Sequence, residues 1–339
     1  MTHRCPRSLR GLLLAVGVAC AAGLASAHAA GDLRTEAAEP LRIADRTPAA
    51  PTAAVGVAVL YPKLEEPFGT VFQQIVTGIE AALHNPVVSI ALAGTDAVES
   101  IEQVLREHGT RVVIALGRHG LEVATSLADR LPVVGGAVLA SPTDGSGADT
   151  VVSLTPDPDL LFQRLRVLSP GSRRIFVVHS SSNDWLIEIA RRAARAQKLE
   201  LVATAASDRQ SAVKAYRDIM KDARPMDAIW LPQDALVVDR DVVLPFVLQG
   251  SWDRSLVLFS STLGHVQRGA LFALYPDNHR MGEHLASSAL ALDKHSRQEQ
   301  TQVEPLRELL AAINVRTASH LGLDVDDSLA DYALTFPVR

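Results

Sequence analysis

What most constrains the fold of this chain is a recurring alternation of short apolar runs with helix-length amphipathic stretches. Val55–Leu60 precedes a helical pattern within Thr70–Leu83, Val87–Leu92 precedes Ala97–His108, Val112–Leu116 precedes Leu121–Arg130, and Val133–Ala140 follows. Strand, helix, strand at this spacing predicts a parallel sheet with crossover helices. The Pro- and Asp-rich segment Thr155–Asp159 interrupts the rhythm, which then restarts. The second series runs helix Leu160–Leu168, strand Arg174–His179, helix Trp185–Gln197, strand Leu199–Thr204, helix Arg209–Lys221, strand Ala228–Pro232, helix Asp239–Leu248 and strand Leu256–Ser260. Two α/β halves joined in the middle predict two doubly wound parallel-sheet lobes, with a ligand between them at the carboxyl ends of the strands.

The N-terminus carries an address. Arg4, Arg7 and Arg10 precede the apolar run Gly11–Leu24 and the small residues Ala25–Ala30, the basic, apolar, small order of a cleaved Sec signal peptide. Ala25-x-Ala27 and Ala27-x-Ala29 both suit signal peptidase, and the apolar core is short for a membrane span. A lipoprotein signal ending at Cys20 is the alternative, although Gly17 stands where such a signal prefers a branched or leucine side chain. The other cysteine, Cys5, also lies in the leader, so residues 31–339 contain no thiol and no cysteine metal ligand. Residues 31–53 read as a flexible lead-in. Without the leader, 33 basic residues become 30 against 38 acidic ones, a formal charge of −8. A mildly acidic chain without basic runs is poorly suited to nucleic acid or anionic membranes as partners.

The C-terminal third adds a resemblance. Val266-Gln267-Arg268-Gly269-Ala270-Leu271-Phe272-Ala273-Leu274, then Asp277 to Met281-Gly282, then Ala312-Ile313-Asn314-Val315-Arg316-Thr317-Ala318 and Leu321-Gly322-Leu323 resemble the ABC-transporter substrate-binding family that includes bacterial tryptophan- and tyrosine-binding proteins. The likeness extends over nearly all of residues 54–330, and Asp159–Leu168 with Pro170–His179 look like that family's linker helix and following strand. The resemblance implies a type-I periplasmic-binding fold: two lobes joined by a three-strand hinge and a cleft that closes on ligand. On that pattern the first lobe takes 54–155 plus 271–296 and the second 156–270 plus 305–339. Two departures weigh against an aromatic amino acid as ligand. Gly117-Arg118-His119-Gly120 stands where relatives commonly show Gly-Thr-Pro, and Tyr61–Pro67 replaces a shorter turn after the first strand.

Candidate ligand-binding residues follow from the strand ends. Loops at the carboxyl edge offer free N–H groups and helix N-termini, which suit an anion. Gly117, Arg118 and His119 stand in such a loop, and Arg118 suits a ligand carboxylate by a charge-assisted, bidentate grip; a surface ion pair is its other explanation. In the second half, His179, Ser180, Asn183 and Trp185 fall between a strand and a helix, where Ser and Asn can donate and accept and Trp can stack; capping and packing against the sheet are the alternatives. Tyr61, Ser141 and Thr143 in the first half and Gln233, Asp234, Ser260 and Ser261 in the second each follow a strand, where turn and capping roles compete with ligand contact. Tyr275 is placed near the hinge.

No catalytic pattern holds together. Ser211-x-x-Lys214 lies inside a helical pattern without companion motifs, and His279 and His284 are five apart where a zinc helix needs four. No cofactor, metal or enzymatic activity is implied. The expected function is a periplasmic, monomeric solute-binding protein that presents a small molecule to an ABC permease. The alternative is a sensor or interaction module of the same fold that signals to a membrane receptor or kinase.

Overall fold

The computed structural model describes residues 56–65, 68–94, 97–294 and 301–337. The expected signal peptide, both cysteines and the lead-in 31–53 lie outside the described residues. The chain opens with β1 (Val57–Pro62), α1 (Phe68–Leu83), β2 (Val88–Leu92), α2 (Val98–Glu107), β3 (Val112–Leu116), α3 (Gly117–Ser126), β4 (Val133–Val138) and β5 (Thr150–Pro156). The strands β1 to β5 pair in parallel. All of β3 is buried, as its unbroken Val-Val-Ile-Ala-Leu run requires of a strand covered on both faces. On α2 the buried residues are Ile101 and Leu105, one turn apart on the face turned to the sheet.

The second series is α4 (Pro158–Leu168), β6 (Arg174–His179), α5 (Asp184–Ala196), β7 (Glu200–Ala205), α6 (Arg209–Asp222), β8 (Ala228–Leu231), α7 (Val243–Asp253), β9 (Val257–Ser260), α8 (Leu263–Gln267) and β10 (Phe272–Pro276). The chain then returns through α9 (Asn278–Lys294) and β11 (Gln302–Leu306), and ends with β12 (Leu309–Asn314), α10 (Val315–His320) and β13 (Leu334–Phe336). Two sheets result, ordered β11-β5-β4-β3-β1-β2 and β13-β12-β10-β9-β8-β6-β7. All pairings are parallel except β10 with β12. Trp230, Phe259 and Phe272 are buried on strands of the second sheet, with Phe162 of α4 edge-on to Trp230 at 5.6 Å and Phe259 stacked on Phe272 at 5.1 Å.

Two boundaries differ from the sequence division. Residues 271–296 were placed with the first lobe, yet Phe272 and Ala273 pair with Phe259 and Ser260 of β9, so β10 belongs to the second sheet and the crossing follows Pro276. Residues 305–339 were placed with the second lobe, yet Pro305 and Leu306 pair with β5 in the first sheet. The described chain thus passes between the sheets after β5, after β10 and between β11 and β12.

The crossings are fastened to one another. Asp157 donates its N–H to the carbonyl of Leu306 at 2.9 Å, and Asp277 donates to Glu308 at 2.9 Å. Arg307 pairs with Asp157 and stands 3.7 Å from Asp159. His284 of α9 lies 2.9 Å from both Glu304 and Glu308, and hydrogen bonds to these two carboxylates outweigh burial and raise its pKa to about 10. Helix α9 lies against α1 with almost no space between the backbones. A Cβ on Gly78 would sit 1.9 Å from the carbonyl oxygen of His279, and one on Gly282 would sit 2.1 Å from that of Ile75. Among the described residues no helix is long and apolar enough to cross a membrane.

Candidate functional site

A cavity of about 490 Å³ opens between the carboxyl edges of the two sheets, the place where doubly wound sheets bind ligands. Its first wall is the segment after β4, with Leu139, Ala140, Ser141 and Asp144, together with Thr155 at the end of β5. Its second wall is Ser180–Asn183 and Trp185 after β6, and Gln233–Leu236 after β8.

On the first wall, Ser141 and Asp144 form a reciprocal cap of the short turn Pro142–Asp144. Asp144 accepts from the Ser141 N–H at 2.6 Å and from its hydroxyl at 3.0 Å. Gly145, at φ +60°, then releases the chain from the turn. Thr143 is bound to Ser141, hydroxyl to hydroxyl at 2.8 Å, but does not line the cavity. Beside them Ser153 accepts from the Ala140 N–H at 3.1 Å and donates to the Thr155 hydroxyl at 3.2 Å.

The second wall is organised by Asp234. Its carboxylate is buried and accepts three hydrogen bonds: from the Ser180 N–H at 2.8 Å and the Asn183 side-chain amide at 2.9 Å, both on Oδ2, and from the Leu236 N–H at 3.2 Å on Oδ1. One side chain thereby ties the loop after β8 to the loop after β6. Burial, and after it the charge of Asp234, push the Tyr216 phenol above its ordinary range. Gln233 places Oε1 out of solvent contact with no hydrogen-bond partner. Leu139 and Leu236, on opposite walls, remain 49% and 43% exposed.

Of the residues expected at the site, Ser141, Ser180, Asn183, Trp185, Gln233 and Asp234 line this cavity. The others stand elsewhere. The expected loop at 117–120 is instead the first turn of α3, because Gly117 at φ +71° lets the strand turn directly into the helix. Tyr61 stacks on Phe72 at 6.2 Å, and a Cβ on Gly117 would meet the same ring at 3.4 Å. Arg118 is exposed, with no ion-pair partner among the described residues. His119 is 3.9 Å from Glu122, with Nε2 buried and unbonded. His179 is buried with Nδ1 at 3.2 Å from Asp184. Ser260 lies at the end of β9 and contacts His265 at 2.7 Å, and Ser261 accepts the Trp230 indole N–H at 3.0 Å. Tyr275 lies in β10, directly before the crossing.

Sequence reasoning passed over Leu139, Asp144, Thr155 and Leu236. The spacing Ser141-x-x-Asp144 is a capping-box signal that points to Asp144; exposed leucines on loops leave no comparable mark. Outside the cavity, Ser211 caps α6 with Asp208, and Lys214 pairs with Asp218 at 3.1 Å, so their spacing reflects a helix surface. Among the described residues no group of three or more His, Cys, Asp and Glu side chains is arranged to hold a metal ion.

A family model described as ABC transporter substrate binding protein matches residues 73–336. No curated protein matches the sequence. Among solved structures, the chain is similar to the ligand-free, open form of a substrate-binding protein with adhesive properties from Clostridium difficile, at 12% identity and a TM-score of 0.58, covering 82% of this chain and 98% of that one. A domain from Streptococcus pneumonia in complex with L-Trp aligns at 18% identity and a TM-score of 0.46, over 82% and 99% of the two chains. A conserved domain protein from Vibrio cholerae aligns at 18% and 0.47, over 83% and 99%.

Proposed function

We propose that this chain, which belongs to the family of ABC transporter substrate-binding proteins, holds a small solute in the cavity between its two sheets and presents it to an ABC permease. The observation that carries this reading is the position of the cavity. It joins loops from the carboxyl edges of both sheets, and the sheets are linked by chain crossings that can act as a hinge. A solute touching both walls stabilises whichever arrangement brings them together, and that arrangement is what a membrane partner can distinguish from the empty one. The cavity volume suits a molecule of metabolite size. The family binds solutes, and binding without turnover is the activity assigned here. The basic, apolar, small order of residues 4–30 supports export to the periplasm.

The test is a thermal-shift screen of the purified protein against amino acids, amines, organic acids, nucleosides and sugars. A saturable shift from one class, followed by cross-linking of the loaded protein to a permease, is the expected result. Turnover of the bound compound would overturn the reading, and so would indifference to every class. Mass spectrometry of the periplasmic fraction checks export: the expected N-terminus follows Ala27 or Ala29, and an intact leader refutes it.

A further inference from the structure

On the two walls of the cavity several of the groups with which an anion would be held are already taken. Strand-to-helix loops ordinarily attract carboxylates through free amide N–H groups and the positive end of the following helix. Here the protein supplies its own carboxylates to those positions. Asp144 takes the N–H and hydroxyl of Ser141 on the first wall, and Asp234 takes the Ser180 N–H, the Asn183 amide and the Leu236 N–H on the second. Among the described residues no Lys, Arg or His side chain lines the cavity and Asp234 has no ion-pair partner, so the carboxylate on the second wall is balanced by hydrogen-bond donors and by no cation.

Part of the unused hydrogen-bonding capacity is of the acceptor kind. A carboxylate offers about four acceptor positions; Asp234 fills two at Oδ2 and one at Oδ1, which leaves one at Oδ1. Gln233, on the same wall, keeps its Oε1 buried and without a donor. Trp185 supplies an aromatic ring to the same cavity, a surface that also attracts cations.

We propose that the solute taken by this cavity carries a cationic hydrogen-bond donor, an ammonium or guanidinium group, seated against Asp234 and Gln233, and that carboxylate-only solutes are excluded. This rests on the solute-capture reading above and gives it a substrate class. It also replaces the carboxylate grip expected of Arg118, which does not line the cavity.

Titration calorimetry on the whole protein tests it with a matched panel: alkyl diamines, amino-acid amides and guanidinium compounds against dicarboxylates, phosphate esters and neutral polyols. The expected result is that the tightest binder is cationic and that its affinity falls with added salt. Asp234→Asn is expected to weaken that binder roughly tenfold or more, the factor that corresponds to 1.4 kcal/mol. Because Asp234 also holds its loops, Leu139→Lys is the second variant. It sets a positive charge on the exposed rim and is expected to weaken the cation severalfold while the melting temperature of the empty protein stays unchanged. Tightest binding of an anion or polyol overturns the substrate class and leaves solute capture standing. So does cation binding that ignores both salt and Leu139→Lys. Failure of every class to bind overturns solute capture itself, and this inference with it.

Discussion

Asp234 follows β8 and binds donors from two loops of the cavity wall with a single carboxylate. Its place after a strand marks it as a site residue, but its three hydrogen bonds join two loops, an arrangement no linear pattern encodes. Asp234→Ala leaves the Ser180 N–H, the Asn183 amide and the Leu236 N–H without their acceptor. With about 1.5–3 kcal/mol for a hydrogen bond to a charged group and partial rescue by water, a loss of roughly 2–4 kcal/mol is expected in denaturant unfolding. Ser180, Asn183, Trp185 and Gln233 were legible because β6 and β8 are apolar runs whose ends are easy to place. Arg118 and His119, expected in a loop, stand in the first turn of α3, because the change from strand to helix at Gly117 depends on a backbone dihedral, which local composition does not announce. Ser260 and Ser261 satisfy His265 and Trp230, partners visible only after the sheet is assembled.

Among the elements, the crossover helices and their strands could be read from periodicity, whereas the crossing strands could not. No α-helix separates β4 from β5, so the strand-helix rhythm carries no mark of the strand Thr150–Pro156, and only the Pro- and Asp-rich segment Thr155–Asp159 stands out there. The α1–α9 contact is likewise invisible in sequence, since its requirement is the absence of side chains at Gly78 and Gly282. Gly282→Ala drives a methyl group into the Ile75 carbonyl and is expected to destabilise the protein by about 1–3 kcal/mol, as overpacking does; a lowered urea midpoint with an unchanged m-value checks this. The His284 cluster carries its own pH signature. Its pKa is about 10 in the folded protein against 6.5 as the ordinary value, so the folded state binds the extra proton between the two. The stabilisation is therefore complete below pH 6.5 and is lost as pH rises through about 10. Melting temperature is expected to fall over that interval in the wild type, and to fall less in His284→Gln. An equal fall in both refutes the assignment.

At the scale of the whole molecule, the sequence was sufficient for two doubly wound sheets because each lobe repeats the same local code, and insufficient for where the lobes divide because that depends on which sheet each returning strand joins. The cavity makes stability depend on solute. At a concentration about a hundred times its dissociation constant, a bound solute adds roughly 2.7 kcal/mol to the unfolding free energy. That is expected as a melting-temperature rise of several degrees, saturating with concentration and abolished by removing the solute.

The placement of Trp185 on the cavity wall gives the protein an optical consequence. The chain has three tryptophans. Trp230 is fully buried with its indole bonded to Ser261, and Trp252 is stacked face to face on His320 at 3.6 Å. Only Trp185 borders the cavity, so its emission alone reports directly on what sits there. Intrinsic fluorescence can therefore follow loading and release without a label, and Trp185→Phe supplies the dark control.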